Sequence, residues 1–555
     1  MNRYLQQPAP GSAYEQGLTA YLAAAPQAPV YSLPPGAAAR LDPCTLQGDT
    51  ARSAAAAQWA ALLRRGPYPA ALARRLEAEA GRIRFPQSRL PLNPADGMHL
   101  RWLVSLDESI QRDRDGIRRI LDLTSAFPAQ ADEALRTMRA CARAGLLLPP
   151  DLLEPLRQQL AWLAACPPAQ HPAYTALARN LSRANPAEIR EFEAAAFLAD
   201  GAGRIETQVQ PAVRRLLAFA DSLAALPPAG DAPFRDTAWL AWSRSRYLPA
   251  TLSPERLGSD AFRAQDSLRR AVDAQLDLAG SPPGPLHARL RSAWQRAGAP
   301  PEPEILRELA HTAFQLSAGM FDSLRFSRVS VEYAPAWRMP DSAAFRYVPH
   351  QRRWLAAPGA PAPILQAGAV FASVYPGRHL FESWQRRRPD SAFHLLFPDP
   401  ASEQGWELYA LWLMDREVAY YSGQDPMPAL AYRCLLHEAA ALAACDAGLH
   451  VQGWTPGEGA AWLAEQLGIS RAAAQVRMAS VWLEPGRSAA AWYGFQRLLE
   501  FRQLAASRLG SRFFLQEFHA WYLRQGPADD PALRTALESW ISAKLAGELQ
   551  RSESR

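Results

Sequence analysis

The sequence predicts a mainly α protein with a small antiparallel β-sheet, and three observations carry that expectation. Apolar residues recur at three- and four-residue spacing over most of the chain, the signature of amphipathic helices. One stretch, from Phe326 to Tyr333, switches to an alternation of apolar and polar residues. Pro/Gly clusters at 226–230, 281–285 and 358–361 punctuate the helical pattern, and no fixed repeat of 20 to 50 residues links the pieces, which disfavours a solenoid.

Taken in order, residues 1–50 mix Pro, Gly, Ala and Gln without a sustained period and are expected to be a poorly ordered lead-in. A helical region follows over 51–200. There Leu103, Leu106, Ile110, Ile117, Ile120 and Leu121 fall on one stripe, with Asp, Glu and Arg opposite. The third region spans 201–550 and opens with a similar stripe of Val209, Val213, Leu216, Leu217, Ala220 and Leu223. Within it, the alternating run to Tyr333 and the segment Ala344–Val348, separated by a Pro-containing turn, predict an antiparallel strand pair.

Composition sets the class. A chain of 555 residues that is 48% apolar and 21% charged is long enough to bury a large core and is not disordered in character. No run of 18 or more uncharged apolar residues is present, so no membrane contact is expected. Met1 to Gly11 carries no apolar segment behind Arg3, so a cytoplasmic location is the expectation. The net charge of +6 is small for this length, and Lys544 is the sole lysine, so the basic residues are arginines interleaved with acids. That pattern predicts no nucleic-acid partner, and the run Arg386–Arg388 is expected to be a solvated helix end. Five scattered cysteines with no CxxC pair argue against a disulfide framework and a thiolate zinc site.

The C-terminal third carries five short motifs in order. They are Val374-Tyr375-Pro376-Gly377-Arg378-His379-Leu380; Gly405-Trp406-Glu407-Leu408-Tyr409-Ala410; and Asp446-Ala447-Gly448-Leu449-His450 with Gly453-Trp454-Thr455. Next come Pro485-Gly486 with Gly494 and Arg502, then Leu509-Gly510 with Phe518-His519 and Leu523 to Gly526. This series resembles the bacterial domain of unknown function 885 family, a metallopeptidase-like group. Fainter matches at Pro211-Ala212, Thr251–Glu255 and Leu257-Gly258 extend the likeness to about residues 200–550. The resemblance implies a zincin-like scaffold around a central cleft, with strands preceding a motif-bearing helix. It also implies a divalent metal held by imidazole and carboxylate, with a Glu as general base on a bound water.

The family's first motif reads His-Glu-x-x-Pro-Gly-His-His and its second Glu-Gly-Trp-x-Leu-Tyr-Ala-Glu. Laid onto this chain, the ligand and base positions fall on Ala372, Ser373, Arg378, His379, Gln404 and Leu411, of which only His379 keeps the family residue. The family's Arg-Tyr pair falls on Ser480 and Val481, its Gln after Pro-Gly on Arg487, and a Tyr on Ala491. Polar positions have changed together while backbone-shaping Gly, Pro and Trp remain. No catalytic residue and no metal ligand are assigned, and no cofactor is expected. Glu382, Glu403, Glu407, His437, Glu438, Asp446, His450 and His519 are the remaining candidates. His437-Glu438 lacks a second His, because Ala441 stands at the fourth position. Asp446 and His450, four apart, either share a ligand or hold helix ends by hydrogen bonds.

Other templates are absent: Gly457-Glu458-Gly459 lacks a third glycine, and neither a phosphate-binding loop nor a nucleophile elbow occurs. Trp384, Trp406, Trp412, Trp454, Trp482 and Trp492 read as packing in a helical core or as the lining of a cleft. The resulting expectation is a non-catalytic pseudo-peptidase that binds a peptide-like or acidic small molecule in the old cleft. Arg378, His379, Glu407, Tyr409, Asp446, His450 and Arg487 are the candidate binding residues, with the two arginines converging to replace the cation. The alternative is an active hydrolase with a reorganised metal site, zinc held by His379 with Glu407 or His450.

Overall fold

A computed structural model describes residues 11–25, 40–66, 68–226, 232–296, 298, 302–322, 327–333, 345–356, 363–388, 390–423, 425–525 and 530–547, with backbone alone for 350 and 363–367. From the N-terminus run α1 (Ala13–Ala24), α2 (Leu46–Arg64), α3 (Ala70–Ala80), α4 (Met98–Glu108) and α5 (Arg114–Arg143). Then come α6 (Pro150–Ala165), α7 (Pro172–Ser182), α8 (Glu191–Arg204) and α9 (Gln210–Ala224). A second run holds α10 (Thr237–Ser245), α11 (Pro254–Leu278), α12 (Leu286–Arg296) and α13 (Pro303–Ser317). Strands β1 (Ser330–Tyr333), β2 (Phe345–Val348) and β3 (Arg353–Ala356) precede α14 (Pro363–Ser373), α15 (Arg378–Gln385), α16 (Ser391–Leu396) and α17 (Pro400–Arg416). The chain ends with α18 (Pro426–His450), α19 (Pro456–Leu467), α20 (Arg471–Leu483), α21 (Arg487–Leu509), α22 (Leu515–Arg524) and α23 (Asp530–Leu545).

Local signals place most helix starts. Thr45, Asp113, Asp236, Ser253, Asp425 and Ser470 each accept a backbone N–H of the first turn, and Thr455 with Glu458 closes a capping box on α19. Proline opens α6, α7, α11, α13, α17 and α18, where no intrahelical donor is lost. The single stripe expected from Leu103 to Leu121 is two helices: Asp113 caps α5, and Ile110, in the connection, is 44% exposed. The stripe from Val209 to Leu223 forms one buried face of α9 after a π-helical turn at Ile205–Val209. The lead-in expected over 1–50 contains α1, whose Tyr14 and Tyr21 pack on Trp59. Residues 1–10 and 26–39 lie outside the described residues.

The sheet departs from the antiparallel pair. Its order is β1-β3-β2, so β1 and β2 are both edges, β1 parallel and β2 antiparallel to β3, with Val331 opposite Trp354 and Tyr347 also opposite Trp354. All four residues of β3 are buried. A strand covered on both faces shows no period-two alternation, which is why the sequence hides it. Arg353 on β3 is 2% exposed; its Nη2 lies 2.5 Å from Asp107 of α4, and Nη1 lies 3.5 Å from Glu332 of β1. Asp107 also pairs with Arg179 of α7. One buried charge network therefore fastens the sheet to the N-terminal helices.

Three apolar clusters form the core. The largest joins α11–α15, α17, α18 and α21–α23 with the sheet. A second joins α4–α9 with α18–α20, and a small third gathers α1–α3 around Trp59 and Phe393. The core is thus shared across the division expected at residue 200. α17 and α21 approach closely at Gly405 and Gly494: a Cβ on Gly405 would lie 2.7 Å from the Gly494 backbone, and one on Gly494 would lie 1.7 Å from the Ala401 carbonyl oxygen. Among the described residues, no helix is long and apolar enough to cross a membrane.

Candidate functional site

Gly377 turns the chain from α14 into α15, and Arg378 is the first residue of the new helix. A Cβ at Gly377 would lie 1.7 Å from the Ala372 carbonyl oxygen, so glycine is what lets the two helices turn this tightly. Arg378 then points at α17. Its Nε donates to Glu382 at 2.7 Å, Nη2 to Glu403 at 2.5 Å and Nη1 to Glu407 at 3.5 Å. Glu382 lies one turn along α15, and Glu403 and Glu407 lie one turn apart on α17, so three carboxylates converge on one guanidinium. The Arg378 side chain is 13% exposed. Burial opposes its charge, but the carboxylates, Glu403 foremost, outweigh that and hold it protonated above the usual arginine range.

Glu407 bears the cost of crowding. Burial pushes its carboxyl up to about 7, Arg378 opposes the rise, and Glu403 and Glu382 add to it. A folded-state value above the ordinary 4.5 means the proton is held more tightly in the folded protein. That stabilisation is complete below the ordinary value and is lost as pH rises toward 7. Glu407→Gln removes the titration, so its stability relative to wild type is expected to climb by about 3 kcal/mol between acid and neutral pH. Urea unfolding across that range measures the slope; parallel curves for the two proteins would refute the assignment.

The other motif positions do not surround a cation. Ala372 and Leu411 are buried in the apolar core, and the buried Ser373 hydroxyl has no hydrogen-bond partner among the described residues. Gln404 is half-buried on α17. Both ring nitrogens of His379 are occupied, Nδ1 by the Tyr347 hydroxyl at 2.5 Å and Nε2 by the Ser327 hydroxyl at 2.6 Å. Burial, reinforced by Arg386 and Arg352, pushes its imidazole down to about 3, so it is a neutral hydrogen-bonding group. The residues present do not fit the divalent metal implied by the family resemblance. Among the described residues, no group of three or more His, Cys, Asp or Glu is arranged to hold a metal ion.

Tyr409 belongs to a separate buried chain. His519 Nδ1 faces the Met320 carbonyl at 2.8 Å and must carry the proton, so Nε2 accepts from the Tyr409 hydroxyl at 2.9 Å. Arg502 Nη1 lies 3.5 Å from the same hydroxyl while Nη2 pairs with Glu417. Asp446 and His450 reach different backbone groups: Asp446 accepts the Gly486 N–H at 2.8 Å, and His450 Nε2 donates to the Val481 carbonyl at 2.9 Å. Together they clamp the α20–α21 connection, where Gly486 takes φ +89°. Burial raises Asp446 to about 7 and lowers His450 to about 4, so neither is a strong charge. His437 accepts from Gln265 at 3.2 Å, and Glu438 pairs with Arg477 at 3.0 Å. Among the described residues, His379, Glu407 and His450 share no hydrogen-bond partner.

Arg487 and Arg378 do not converge on shared partners. Arg487 pairs with Glu484, which also accepts from Tyr247 at 2.8 Å. The cavity bordering Arg378's cluster, between Phe381, His394, Glu403 and Tyr522, measures about 10 Å³. That is room for about one water and not for a peptide. The Arg386–Arg388 run is not a solvated end: Arg386 is buried and donates to the Pro349 carbonyl, Arg387 lies over Trp384, and Arg388 pairs with Asp390. Trp406 and Trp482 are buried packing residues, Trp406 also donating to the Pro376 carbonyl at 2.9 Å.

Two solved structures share this fold. "The putative lipoprotein from Colwellia psychrerythraea" is 15% identical, with a TM-score of 0.77, and the likeness covers 96% of this chain and 99% of that one. "A putative lipoprotein of unknown function from Shewanella oneidensis" is 14% identical, with a TM-score of 0.60 and the same coverage. No curated protein matches the sequence. The cytoplasmic expectation is corrected by these neighbours, whose descriptions as lipoproteins point away from the cytoplasm. A family model for bacterial proteins of unknown function, DUF885, matches residues 29–537, and the chain belongs to that family.

Proposed function

We propose that this chain is a non-catalytic member of its family, a metallopeptidase-like scaffold acting outside the cytoplasm whose internal cation is the Arg378 guanidinium. The observation that supports this reading is the pairing of Arg378 with Glu382, Glu403 and Glu407 at a motif position where the family resemblance puts a metal-binding histidine. A monovalent, permanently attached cation satisfies the carboxylates without an open coordination position, so no activated water is generated there. The acidic ligand envisaged for the old cleft has no free donor on Arg378, since each guanidinium nitrogen already meets a carboxylate.

Metal content tests the reading. Protein purified without chelator is expected to contain far less than one equivalent of zinc or manganese by mass spectrometry. Close to one equivalent, retained through gel filtration, would overturn it in favour of a hydrolase with a reorganised metal site.

A further inference from the structure

A second cluster of arginines lies where α2, α4 and α10 meet the α20–α21 connection, and it is arranged in the opposite way from Arg378. Here a polar cavity of about 80 Å³ is lined by Arg52, Arg82, Arg89, Arg101 and Arg246, with Asp49, Asp96 and Glu484 as the lining acids. Backbone carbonyls hold two of the arginines: Arg82 donates to Ser88 at 2.6 Å and Arg89 to Ile83 at 2.7 Å. The carboxylates are distant, with Arg52 at 3.6 Å from Asp42, Arg82 at 3.9 Å from Glu79 and Arg101 at 4.0 Å from Asp96. The Arg246 guanidinium forms no hydrogen bond to a described residue and rests on the rings of Trp242 and Tyr247 at 5.2 and 5.0 Å.

Donors in this cluster outnumber acceptors. Among the described residues the buried Nε atoms of Arg52, Arg82, Arg89 and Arg101 have no hydrogen-bond partner, against one unpartnered lining acceptor, Gln87 Oε1. Glu484 is already saturated by Arg487 and Tyr247, so it neutralises little of the lining. Five guanidiniums face three lining carboxylates, with Arg487 and the acids Asp42, Glu79 and Glu133, the last accepting the N–H of the lining Cys44, behind them. Buried guanidinium donors held beyond hydrogen-bond distance of the nearby acids are costly unless another acceptor supplies the missing oxygens.

We propose that this cavity binds a small oxyanion carrying two negative charges, a phosphate monoester or a dicarboxylate, through the guanidiniums of Arg82, Arg101 and Arg246. The site is independent of the Arg378 reading. Its ring comes from residues between 43 and 484, so a bound anion would draw the first helices and the α20–α21 connection together.

Calorimetric titration of the full-length protein with inorganic phosphate and with succinate, in buffers matched for ionic strength with chloride, tests the proposal. One of the two is expected to bind and to raise Tm, and which one does so distinguishes phosphate from dicarboxylate chemistry. Arg246→Gln and Arg101→Gln, removing one charge-assisted hydrogen bond each, are expected to weaken that binding about tenfold. Arg246 donates no hydrogen bond to a described residue but rests on Trp242 and Tyr247, so the anion affinity of Arg246→Gln is read on protein whose cooperative melting transition shows that it is folded. Absence of binding by either anion, or unaltered affinity in a folded Arg246→Gln variant, would overturn it.

Discussion

Arg378→Met is expected to cost about 3–5 kcal/mol at neutral pH, because it strands Glu382, Glu403 and Glu407 around an apolar side chain of similar length. The size of the loss should depend on pH in one direction. Arg378 opposes the rise that burial imposes on the Glu407 carboxyl, so without the guanidinium that folded-state value lies higher still, and stability is retained in acid and lost as pH increases. The variant should therefore approach wild type near pH 4.5 and fall furthest behind above pH 7. Calcium or manganese should restore part of its melting temperature, since three converging carboxylates suit a hard cation, and should leave wild type unchanged. Equal melting temperatures for variant and wild type at pH 8 would remove the internal-cation idea, whatever the metal content of the native protein.

The second large effect is expected at Asp107→Asn. This keeps the volume but takes a buried carboxylate away from Arg353, on the central strand, and from Arg179. The Glu332 contact to Arg353, at 3.5 Å, is too long for a strong charge-assisted bond. Breaking a buried pair by removing one member costs about 3–5 kcal/mol. The double variant Asp107→Asn/Arg353→Met should recover part of that loss, because the guanidinium that Asp107 balances goes with it. Denaturant midpoints of the two singles and the double close the cycle. Additive losses would mean that the network contributes nothing as a unit.

Legibility in the sequence followed locality. The buried face of α9 from Val209 to Leu223 was readable because its period lies within one helix, whereas the stripe from Leu103 to Leu121 ran through the cap at Asp113. The motif glycines were readable as backbone-shaping residues, and Gly405, Gly494 and Gly377 prove to be points where a Cβ has no room. Strand β3 was not readable, since complete burial erases its alternation and Arg353 looks like a surface residue until Asp107 is placed beside it. The spacing of Arg378 and Glu382 announces a helical pair, and Glu403 and Glu407 announce one face of α17. That the two faces meet is a tertiary fact, carried by the turn at Gly377 and by the seating of α17 on α21. The arginine cavity was invisible for the same reason: its lining is drawn from pieces spread over more than four hundred positions.

α18 has a consequence for how this molecule can be cut. Leu430, Leu436, Ala440 and Ala444 belong to the larger apolar cluster, whereas Ala441, Cys445 and Leu449 of the same helix belong to the cluster built on α4–α9. A fragment ending before residue 426 would leave the N-terminal helices with a dry face turned to water. A fragment starting after residue 250 would do the same to the opposite side of α18. Neither piece is a self-sufficient module, and an expression strategy that trims this chain to its motif-bearing end removes the wall against which that end is built.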